Sequence, residues 1–488
     1  MATAQAQLQE LLIDGNWTAG SSGRSFENRH PYTGEVVGSA VAAGVEDARA
    51  AVDAAAAAFP DWSATPPAKR RELLAKAAEL LAARGREIAA TMTEETGSTF
   101  GWGMFNVTLA AGMLREAAAQ SYALVGEVIP SDVPGKLAMA VRQPVGVVVG
   151  IAPWNGPVIL ATRAIATPLA FGNTVVLKAS EQCPRTHACV AHALADAGQP
   201  AGVVNFVTNA PEDAGEVVEA LIAHSKTRRI NFTGSTKVGR IIAEKAGRHL
   251  KRVLLELGGK APFLVLADAD LERAVAAAKF GAFMHQGQIC MSTERIVADA
   301  SIAEEFAAQL AGQASMLKVG DPREPDTQIG PLINEAARER IEELVADAVE
   351  NGARVMSGGE ADGPCYRPTV LMGVTPAMRI YSEESFGPVV SIITVEDEEQ
   401  AVRTANDSDY GLSAAVFSRD VPRALALAGQ IESGICHIND TTVHDEPQMP
   451  FGGVKDSGWG RFGGSAAIEE FSELRWITVQ SLAREYPI

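Results

Sequence analysis

The chain of 488 residues is poor in cysteine and contains no C-x-x-C pair. Its five cysteines are Cys183, Cys189, Cys290, Cys365 and Cys436. An odd and sparse set of thiols argues against a disulfide framework or a zinc cluster, and it fits a reducing compartment. We therefore expect no metal site, while a lone functional thiol stays open.

Basic runs and long apolar runs are also missing. The formal net charge is −18, so the chain lacks the basic footprint that nucleic-acid binders carry. The apolar run 145–152 is far shorter than the roughly 20 residues that a membrane span needs. Residues 1–15 carry Glu10 and Asp14 and no Lys or Arg, which makes a poor signal peptide. We expect a cytoplasmic protein without a nucleic-acid or membrane partner.

Short apolar strands alternate with helices through the middle of the chain. This alternation predicts an α/β fold with a parallel, doubly wound sheet, whose ligands bind at the carboxyl ends of the strands. The predicted strands are 145–153, 173–178, 202–207, 228–233 and 251–257, and the helices between them are 156–171, 184–197, 212–223 and 236–247.

A second alternation follows Gly258–Gly259, a glycine pair that we interpret as the joint between two lobes because glycine relaxes the backbone. Its predicted strands are 261–266, 389–395 and 413–418, and its helices are 271–285, 301–316 and 335–350. Two Ala-rich surface helices, 46–58 and 68–90, are predicted before the first lobe, separated by Pro66–Pro67.

Two segments fit neither lobe. Residues 123–142 alternate on each side of a Pro/Ser/Asp turn, which predicts a hairpin, and 473–482 predict a terminal strand. Appended strands of this kind mediate assembly through their edges or pack within one chain, and the pattern alone supports both interpretations equally.

Three side chains are candidates for chemistry, and each has a structural alternative. Cys290 follows Gly287 and Gln288, so its thiol can reach a cleft and attack a carbonyl, although a free cysteine is more often a small buried hydrophobe. Glu256 ends a strand and could act as general base, or form an ion pair. Asn155 could stabilise an oxyanion; its spacing before Pro157 favours a helix cap instead.

Cofactor signals follow two other strands. Glu181 comes three residues after Lys178, at a strand end where an acid can accept bonds from ribose hydroxyls. The segment GSTKVG (234–239) opens a helix, whose free N–H groups can bind phosphate. Without G-x-G-x-x-G or the G-K-[ST] of a P-loop, it could equally be a tight turn.

Seven motifs together resemble the aldehyde dehydrogenase superfamily, in family order and over most of the chain. They are PWN (153–155), LKASE (177–181), FTGST (232–236), LELGGK (255–260), GQIC (287–290), EESFGP (383–388) and PFGGVKDSG (450–458). One such motif is weak, whereas seven in register are specific, and the resemblance reverses the structural alternatives for the matched residues.

The resemblance implies a role for each matched residue. Cys290 is the nucleophile, Glu256 the general base, and Asn155 the oxyanion amide together with the backbone N–H of Cys290. The implied cofactor contacts are Trp154 in the channel, Lys178 and Glu181 at the adenosine ribose, Ser235 after Gly234 at the pyrophosphate, and Glu384 and Phe386 at the nicotinamide ribose and ring. Gly239 and Leu257 are also expected to bind the cofactor. The implied cofactor is NAD, with NADP possible.

The resemblance also implies three parts and an oligomer. They are a Rossmann-like cofactor domain (1–122 and 143–257), a catalytic α/β domain (258–450) and small oligomerisation segments (123–142 and 451–488). A homodimer or a homotetramer is expected, and the small-molecule partner is an aldehyde. Alternatives are a CoA-acylating or phosphorylating member, which often lacks the base, and a non-catalytic relative, which would be expected to lose the thiol or the base.

Within the superfamily, the chain looks most like the salicylaldehyde, vanillin and benzaldehyde dehydrogenases. Many relatives with aliphatic substrates carry aromatic residues where this chain has Gly156 and Arg163. Our hypothesis is that Gly156 leaves room for an aromatic ring and that Arg163 contacts a polar ring substituent. A structural ion pair of Arg163 is an equal alternative, and an aliphatic or semialdehyde substrate is the alternative for the whole chain.

Overall fold

The computed structural model describes residues 8–488, so residues 1–7 of the segment that we analysed as a signal peptide lie outside it. The described part of the chain folds into two large sheets, two three-stranded sheets and two strand pairs. All helices of the described part are too short or too polar to cross a membrane.

The first sheet has five parallel strands at its centre and antiparallel strands at both edges. In spatial order its strands are Gly458–Trp459, Arg252–Glu256, Thr227–Thr233, Val147–Ile151, Thr174–Lys178, Val204–Val207, Leu11–Ile13 and Asn16–Thr18. The five central strands confirm the prediction to within one or two residues at most ends. Their order reverses at Val147–Ile151, which is where a doubly wound sheet places its ligand crevice.

Helices pack on both faces of this sheet. They are Val45–Ala64, Pro67–Ala83, Gly85–Thr96, Phe100–Ala119, Pro157–Ala170, Pro184–Asp196, Ala214–Ala223 and Thr236–Arg248. The predicted single helix 68–90 is wrong, because the chain breaks at Arg84 into two helices. The helix Phe100–Ala119 was not predicted, and the first helix continues through Pro60 to Ala64.

The second sheet is parallel except for one edge strand. Its strands, in spatial order, are Arg354–Ser357, Thr369–Met372, Val389–Val395, Thr293–Asp299, Ala261–Val265, Ser413–Phe417 and Ile435–Ile438. Its helices are Leu271–Phe283, Ala303–Ser315, Glu335–Glu350, Arg379–Ser382, Glu398–Asn406 and Val421–Ala428. The three strands and three helices predicted here are all present.

Gly258 and Gly259 connect the two large sheets, but not for the reason that we gave. Both have ordinary backbone angles, so neither needs the left-handed conformation that glycine allows. A Cβ atom on Gly259 would lie 2.2 Å from the carbonyl oxygen of Cys290, and one on Gly258 would lie 2.8 Å from Oε2 of Glu384. Gly259 is required because the chain passes so close to the backbone of Cys290, whereas the neighbour of Gly258 is the end of the Glu384 side chain.

The predicted hairpin and tail form one sheet. Lys136–Pro144 lies between Glu127–Ile129 and Ser472–Gln480 and pairs antiparallel with both. Packing within one chain, which the sequence left open beside assembly, is therefore present. Gly458–Trp459 fall within the predicted oligomerisation segment 451–488, but they pair with Arg252–Glu256 of the first large sheet.

The remaining elements are short. They are the sheet of Leu8–Gln9, Val36–Val41 and Ser25–Arg29, the strand pairs Ala361–Asp362 with Cys365–Tyr366 and Tyr410–Gly411 with Val454–Lys455, the helix Ala466–Phe471, and the 3₁₀ turns Gln120–Tyr122, Pro211–Asp213 and Met284–Gly287.

Candidate active site

The segment before Cys290 has an unusual backbone. His285, Gln286 and Gly287 have φ values of 50°, 56° and 68°, so three consecutive residues lie in the left-handed region. A Cβ on Gly287 would lie 2.0 Å from the carbonyl oxygen of Gly387, which explains the glycine. Non-glycine residues keep such a conformation only where their surroundings hold it, and such strain clusters at functional sites.

The Cys290 thiol is half-buried at the end of this turn. Burial raises the pKa of Cys290 well above its ordinary value, and the nearby Glu256 and Glu384 carboxylates raise it further. The resting side chain is therefore a neutral thiol at neutral pH, and its attack on a carbonyl needs a base to remove the proton. The other four cysteines are unpaired, and burial raises the pKa of each of them too.

Glu256 is the candidate base, and it ends the strand Arg252–Glu256. Its side chain is fully buried, and neither carboxylate oxygen has a hydrogen-bond partner among the described residues. Burial raises the pKa of Glu256 to about 8, which outweighs the opposing effect of the Arg163 charge. An ion-paired or exposed glutamate is excluded, and a carboxyl that titrates near neutral pH suits general-base chemistry.

Asn155 does not cap the following helix, so the interpretation that its spacing favoured is wrong. Gly156 occupies the cap position, and Pro157 is the first helical residue. Instead, the Asn155 side-chain amide donates to the Gln288 carbonyl oxygen at 2.9 Å, and the Trp102 indole N–H donates to the Asn155 carbonyl at 3.0 Å. These bonds aim the amide at the segment that carries Cys290, which fits an oxyanion donor.

A cavity of about 500 Å³ is lined by Cys290, Asn155, Gly156 and Arg163, whereas Glu256 is not among its lining residues. Most of its wall is apolar, while one part is polar. The apolar side chains include Trp102, Phe105, Leu109, Ile159, Leu160, Phe280, Met284 and Phe451, and the polar ones include Asp440, Thr441 and His444. A larger cavity of about 730 Å³ shares Phe280 and Met284 but is lined by none of the candidate catalytic residues.

Gly156 and Arg163 shape this cavity differently. A Cβ on Gly156 would lie 3.6 Å from Oδ1 of Asn106 and 3.7 Å from the Leu160 side chain, which is ordinary contact distance, so a methyl group would fit there and extra room for an aromatic ring stays a prediction. Arg163 is 7% exposed, is paired with the buried Asp445, and has its guanidinium carbon 4.1 Å from the ring centre of Phe451. The ion pair that the sequence offered as an alternative is thus present; a contact with substrate stays a prediction.

The turn at 234–239 is built for close approach. Ser235 caps the helix Thr236–Arg248 by accepting a bond from the Val238 N–H at 3.4 Å. A Cβ on Gly234 would lie 2.4 Å from the Phe232 ring, and one on Gly239 would lie 2.4 Å from Leu257. The helix therefore begins without bulky side chains at positions 234 and 239, next to the strand Val147–Ile151 where the strand order of the first sheet reverses. This position suits binding of a dinucleotide pyrophosphate.

Lys178 and Glu181 lie at the carboxyl end of the neighbouring strand. Their charged atoms are 3.5 Å apart, and Lys178 is 5% exposed whereas Glu181 is partly exposed. Burial lowers the pKa of Lys178, and the Glu181 carboxylate opposes that effect. The pair therefore orients one cation and one carboxylate where the ribose of a dinucleotide would lie.

Glu384, Phe386 and Trp154 meet near the glycine pair. Glu384 Oε1 accepts a bond from the Gly259 N–H at 2.8 Å, and burial raises the pKa of Glu384 to about 7. Phe386 has a φ of 51°, and its ring meets that of Trp154 edge-on with centres 5.8 Å apart. The structure thus brings the two motifs EESFGP and PWN together beside Cys290.

Sequence reasoning missed much of the cavity wall. Trp102 and Phe105 come from the unpredicted helix, and Asp440, His444 and Asp445 come from a loop without regular structure. A signal for that loop was present, because acidic residues and a histidine interrupt an otherwise ordinary segment before PFGG. No group of three metal-ligating side chains exists among residues 8–488.

The chain belongs to the aldehyde dehydrogenase family, whose model matches residues 17–477. It is thus an oxidoreductase. It is 59% identical to a vanillin dehydrogenase of Pseudomonas fluorescens, over 98% of this chain and 99% of that one. It is 47% identical to a salicylaldehyde dehydrogenase of Pseudomonas putida, over 98% and 99% of the two chains. These relatives confirm the branch that the motifs indicated.

Solved structures agree with this assignment. The crystal structure of a salicylaldehyde dehydrogenase from Pseudomonas putida G7, complexed with salicylaldehyde, superposes with a TM-score of 0.97 at 47% identity, covering 99% of this chain and all of that one. A betaine aldehyde dehydrogenase from Staphylococcus aureus in complex with NAD⁺ gives a TM-score of 0.95 at 32% identity, covering 98% and 96%. The family uses NAD(P).

Proposed function

We propose that the protein oxidises an aromatic aldehyde of the benzaldehyde, salicylaldehyde or vanillin type to the carboxylic acid, through a thioester on Cys290. The observation that carries the proposal is the cavity that joins Cys290 and Asn155 to a mainly apolar wall containing four Trp and Phe side chains. A flat ring fits such a wall by stacking and by burial of apolar surface. The names of the relatives support the same substrate class.

The chemistry follows from the protonation states. Glu256 removes the proton of the Cys290 thiol as the sulfur bonds to the aldehyde carbon. The negative charge moves to the former carbonyl oxygen, where the Asn155 amide donates to it; a donor of this kind contributes roughly 3–4 kcal/mol. When bound, the nicotinamide ring supplies the hydride acceptor that converts this adduct to a thioester. Glu256 next releases the thiol proton to solvent. The carboxylate then takes a proton from water as the water oxygen bonds to the thioester carbon; the C–S bond breaks to release the acid, and Glu256 returns the proton to the Cys290 sulfur.

This chain's residues fit a dinucleotide. Gly234 and Gly239 let the turn and helix pack closely on Phe232 and Leu257, and the helix that begins there can bind a pyrophosphate through its free N–H groups. Lys178 and Glu181 can bond ribose hydroxyls. One carboxylate oxygen of Glu384 accepts a hydrogen bond from the Gly259 N–H, and the second oxygen can accept one from the nicotinamide ribose. We propose NAD as the preferred cofactor, because the Glu181 carboxylate would repel a 2′-phosphate, while Lys178 softens that repulsion.

The family's other reaction types are less well supported. A CoA-acylating or phosphorylating enzyme must keep its thioester away from activated water. Here Glu256 is present, fully buried and without a partner in the described structure, as a base for water would be. An aliphatic or semialdehyde substrate would not stack on the aromatic side chains of the cavity wall.

We also propose that the three-stranded sheet of Glu127–Ile129, Lys136–Pro144 and Ser472–Gln480 joins subunits into a homodimer or homotetramer. The sheet and the tail after it expose large apolar side chains, which in a monomer are rarely clustered. They include Val128 at 72%, Trp476 at 75%, Leu474 at 59% and Leu482 at 57% exposed. Trp476→Glu should give smaller particles by light scattering, whereas the exposed Leu250→Glu on another surface should not.

The division into a cofactor domain (1–122 and 143–257), a catalytic domain (258–450) and oligomerisation segments (123–142 and 451–488) stays part of the proposal. The change of sheet at Gly258 and the separate three-stranded sheet support it. Five unpaired cysteines support a cytoplasmic location.

Absorbance of NADH tests the function directly. The purified protein is given NAD with benzaldehyde, salicylaldehyde or vanillin, and in parallel with hexanal or succinic semialdehyde. We expect kcat/KM to be highest for the aromatic set and absent in Cys290→Ala. Cys436→Ala, which changes a cysteine outside the cavity lining, is the matched control and should keep full activity. Preference for the aliphatic set, dependence on added CoA, or turnover by Cys290→Ala would each contradict the proposal.

A further inference from the structure

Glu294 forms a hydrogen-bonded cluster behind the reactive centre that the reaction above does not use. Its Oε1 accepts bonds from the Ser385 N–H at 2.9 Å, the Ser385 hydroxyl at 2.9 Å and the Phe386 N–H at 3.1 Å. Its Oε2 accepts a bond from the Lys260 ammonium at 2.6 Å. Both charged side chains are almost fully buried, at 3% and 1% exposure.

A β-bulge turns this carboxylate toward the loop. In the pairing of the strands Ala261–Val265 and Thr293–Asp299, Thr293 lies opposite Ala261 and Arg295 lies opposite Pro262. Glu294 is therefore an extra residue without a partner in the ladder. Bulges of this kind redirect a side chain, and they are frequent beside active sites.

The cluster connects three catalytic segments by short stretches of chain. Lys260 comes four residues after Glu256, and Glu294 comes four residues after Cys290. The loop that Glu294 holds carries Glu384 and Phe386, the residues that the proposed function places at the nicotinamide. Phe386 is also left-handed, a conformation that persists only when neighbouring bonds determine it.

From these contacts we infer that Glu294, neutralised by Lys260, is a positioning residue for hydride transfer: it fixes the loop of Glu384 and Phe386 relative to Cys290. This inference rests on the proposed function, because it takes the loop to be the nicotinamide contact. Glu294 touches neither Cys290 nor Glu256 by any hydrogen bond in the structure. Its loss should therefore impair the step that needs the nicotinamide and spare the chemistry of the thiol.

Two variants separate these steps. Glu294→Leu combined with Lys260→Met removes the acceptor without leaving one buried charge unpaired, and Glu294→Gln keeps an uncharged acceptor. Asp47→Asn is the matched control, since Asp47 is also a buried carboxylate that accepts two backbone N–H bonds, from Ser21 and Gly44, far from the cavity lining.

Three measurements are made on each protein. They are aldehyde oxidation with NAD, hydrolysis of 4-nitrophenyl acetate without NAD, and the isotope effect on kcat with benzaldehyde deuterated at the formyl carbon. Ester hydrolysis needs the thiol, the oxyanion donor and the base but no hydride acceptor. A misplaced reacting group can reduce a rate about 100-fold, so kcat/KM for NAD should fall by about that factor in the double variant.

The expected pattern is specific to a positioning role. The double variant keeps ester hydrolysis near wild type, gains a larger isotope effect and loses oxidation; Glu294→Gln shows a smaller loss, and Asp47→Asn shows none. A parallel fall of oxidation and ester hydrolysis, or an unchanged kcat/KM and isotope effect, overturns the inference. If the wild type hydrolyses the ester but oxidises no aldehyde, the proposed function fails. In that case NAD affinity is compared between the wild type and the double variant, and an unchanged affinity overturns the inference.

Discussion

Replacing Glu256 by glutamine tests the electrostatics of the site through stability. The wild-type carboxyl is fully buried and has no hydrogen-bond partner among the described residues, and its pKa is raised from 4.5 to about 8. The folded protein therefore holds a proton that the unfolded chain releases near pH 4.5. Glutamine has nearly the same shape and does not titrate, so the variant removes only the ionisation.

The sign of the effect follows from proton binding. Between pH 4.5 and about 8 the folded state binds more protons at this site than the unfolded state does, so wild-type stability falls as pH rises. Below pH 4.5 the site contributes no loss, and above about 8 the loss is complete. The difference between 4.5 and about 8, at about 1.4 kcal/mol for each pKa unit, amounts to about 5 kcal/mol.

Urea unfolding of both proteins, followed by tryptophan fluorescence without cofactor and at one protein concentration, measures this difference from pH 5 to pH 9. We expect the stability of Glu256→Gln relative to wild type to increase progressively from pH 5 to about 8 and to level off above that. Glu339→Gln, at an exposed helix position, is the control and should show no such trend. A pH-independent difference between Glu256→Gln and wild type would refute the buried, partnerless carboxyl. In the same range, wild-type kcat/KM should rise with pH toward about 8, and the variant should lose that rise.

Three further substitutions have defined outcomes. Gly259→Ala places a Cβ 2.2 Å from the Cys290 carbonyl oxygen, so kcat should fall sharply, and an active variant would contradict the close approach. Arg163→Met leaves Asp445 buried without its cation, which should destabilise the protein by roughly 3–5 kcal/mol in thermal or urea unfolding. If this variant loses kcat/KM equally on benzaldehyde and on its hydroxylated analogues, the hypothesis that Arg163 contacts a ring substituent is contradicted. Glu181→Gln should raise kcat/KM with NADP relative to NAD, and an unchanged ratio would count against charge repulsion.

The parallel strands were predictable because their pattern is local. Val147–Ile151 and Thr174–Lys178 are buried at every position, and apart from Lys178 at the end of the second strand they consist of β-branched and other apolar residues. Helices between them follow from the same alternation. The placement of Glu256 and Lys178 at strand ends was predictable for the same reason, because parallel strands end at one edge of the sheet.

The helix Phe100–Ala119 shows what local pattern misses. It contains Gly101, Gly103 and Gly112, each of which lowers helix propensity by about 1 kcal/mol relative to alanine. Gly103 is explained by packing, since a Cβ there would lie 2.8 Å from the Cα of Ala89 on the preceding helix. That contact depends on how two helices cross, so helix propensity does not predict it. Because the helix was not predicted, the position of Trp102 in the cavity wall was not predicted either.

Contacts between residues that are far apart in the sequence could not be predicted from local sequence patterns either. Arg163 and Asp445 are separated by 282 positions, and the spacing of neither residue indicates the other. The Asn155 amide reaches Gln288 across 133 positions, so its role was decided by a tertiary contact against a local preference for capping. Motif resemblance found Asn155 because it summarises such contacts. The segment that contains Asp440 and His444 contributed to the resemblance to the aromatic-aldehyde branch, but neither residue was given a role.

The buried charges of the site define how much negative charge it can hold. The Glu256 carboxylate raises the pKa of the Cys290 thiol, so the two groups disfavour ionising together. When Glu256 is ionised and Cys290 is not, attack on an aldehyde moves a proton to Glu256 and a single negative charge to the substrate oxygen. The charge thus leaves a carboxylate that has no hydrogen-bond partner in the described structure and arrives where the Asn155 amide can donate to it. Because burial destabilises the starting charge and the amide stabilises the final one, both effects favour the adduct. A thiolate already present at rest would forgo the first of them, which is why a high thiol pKa in the empty site is consistent with Cys290 as the nucleophile.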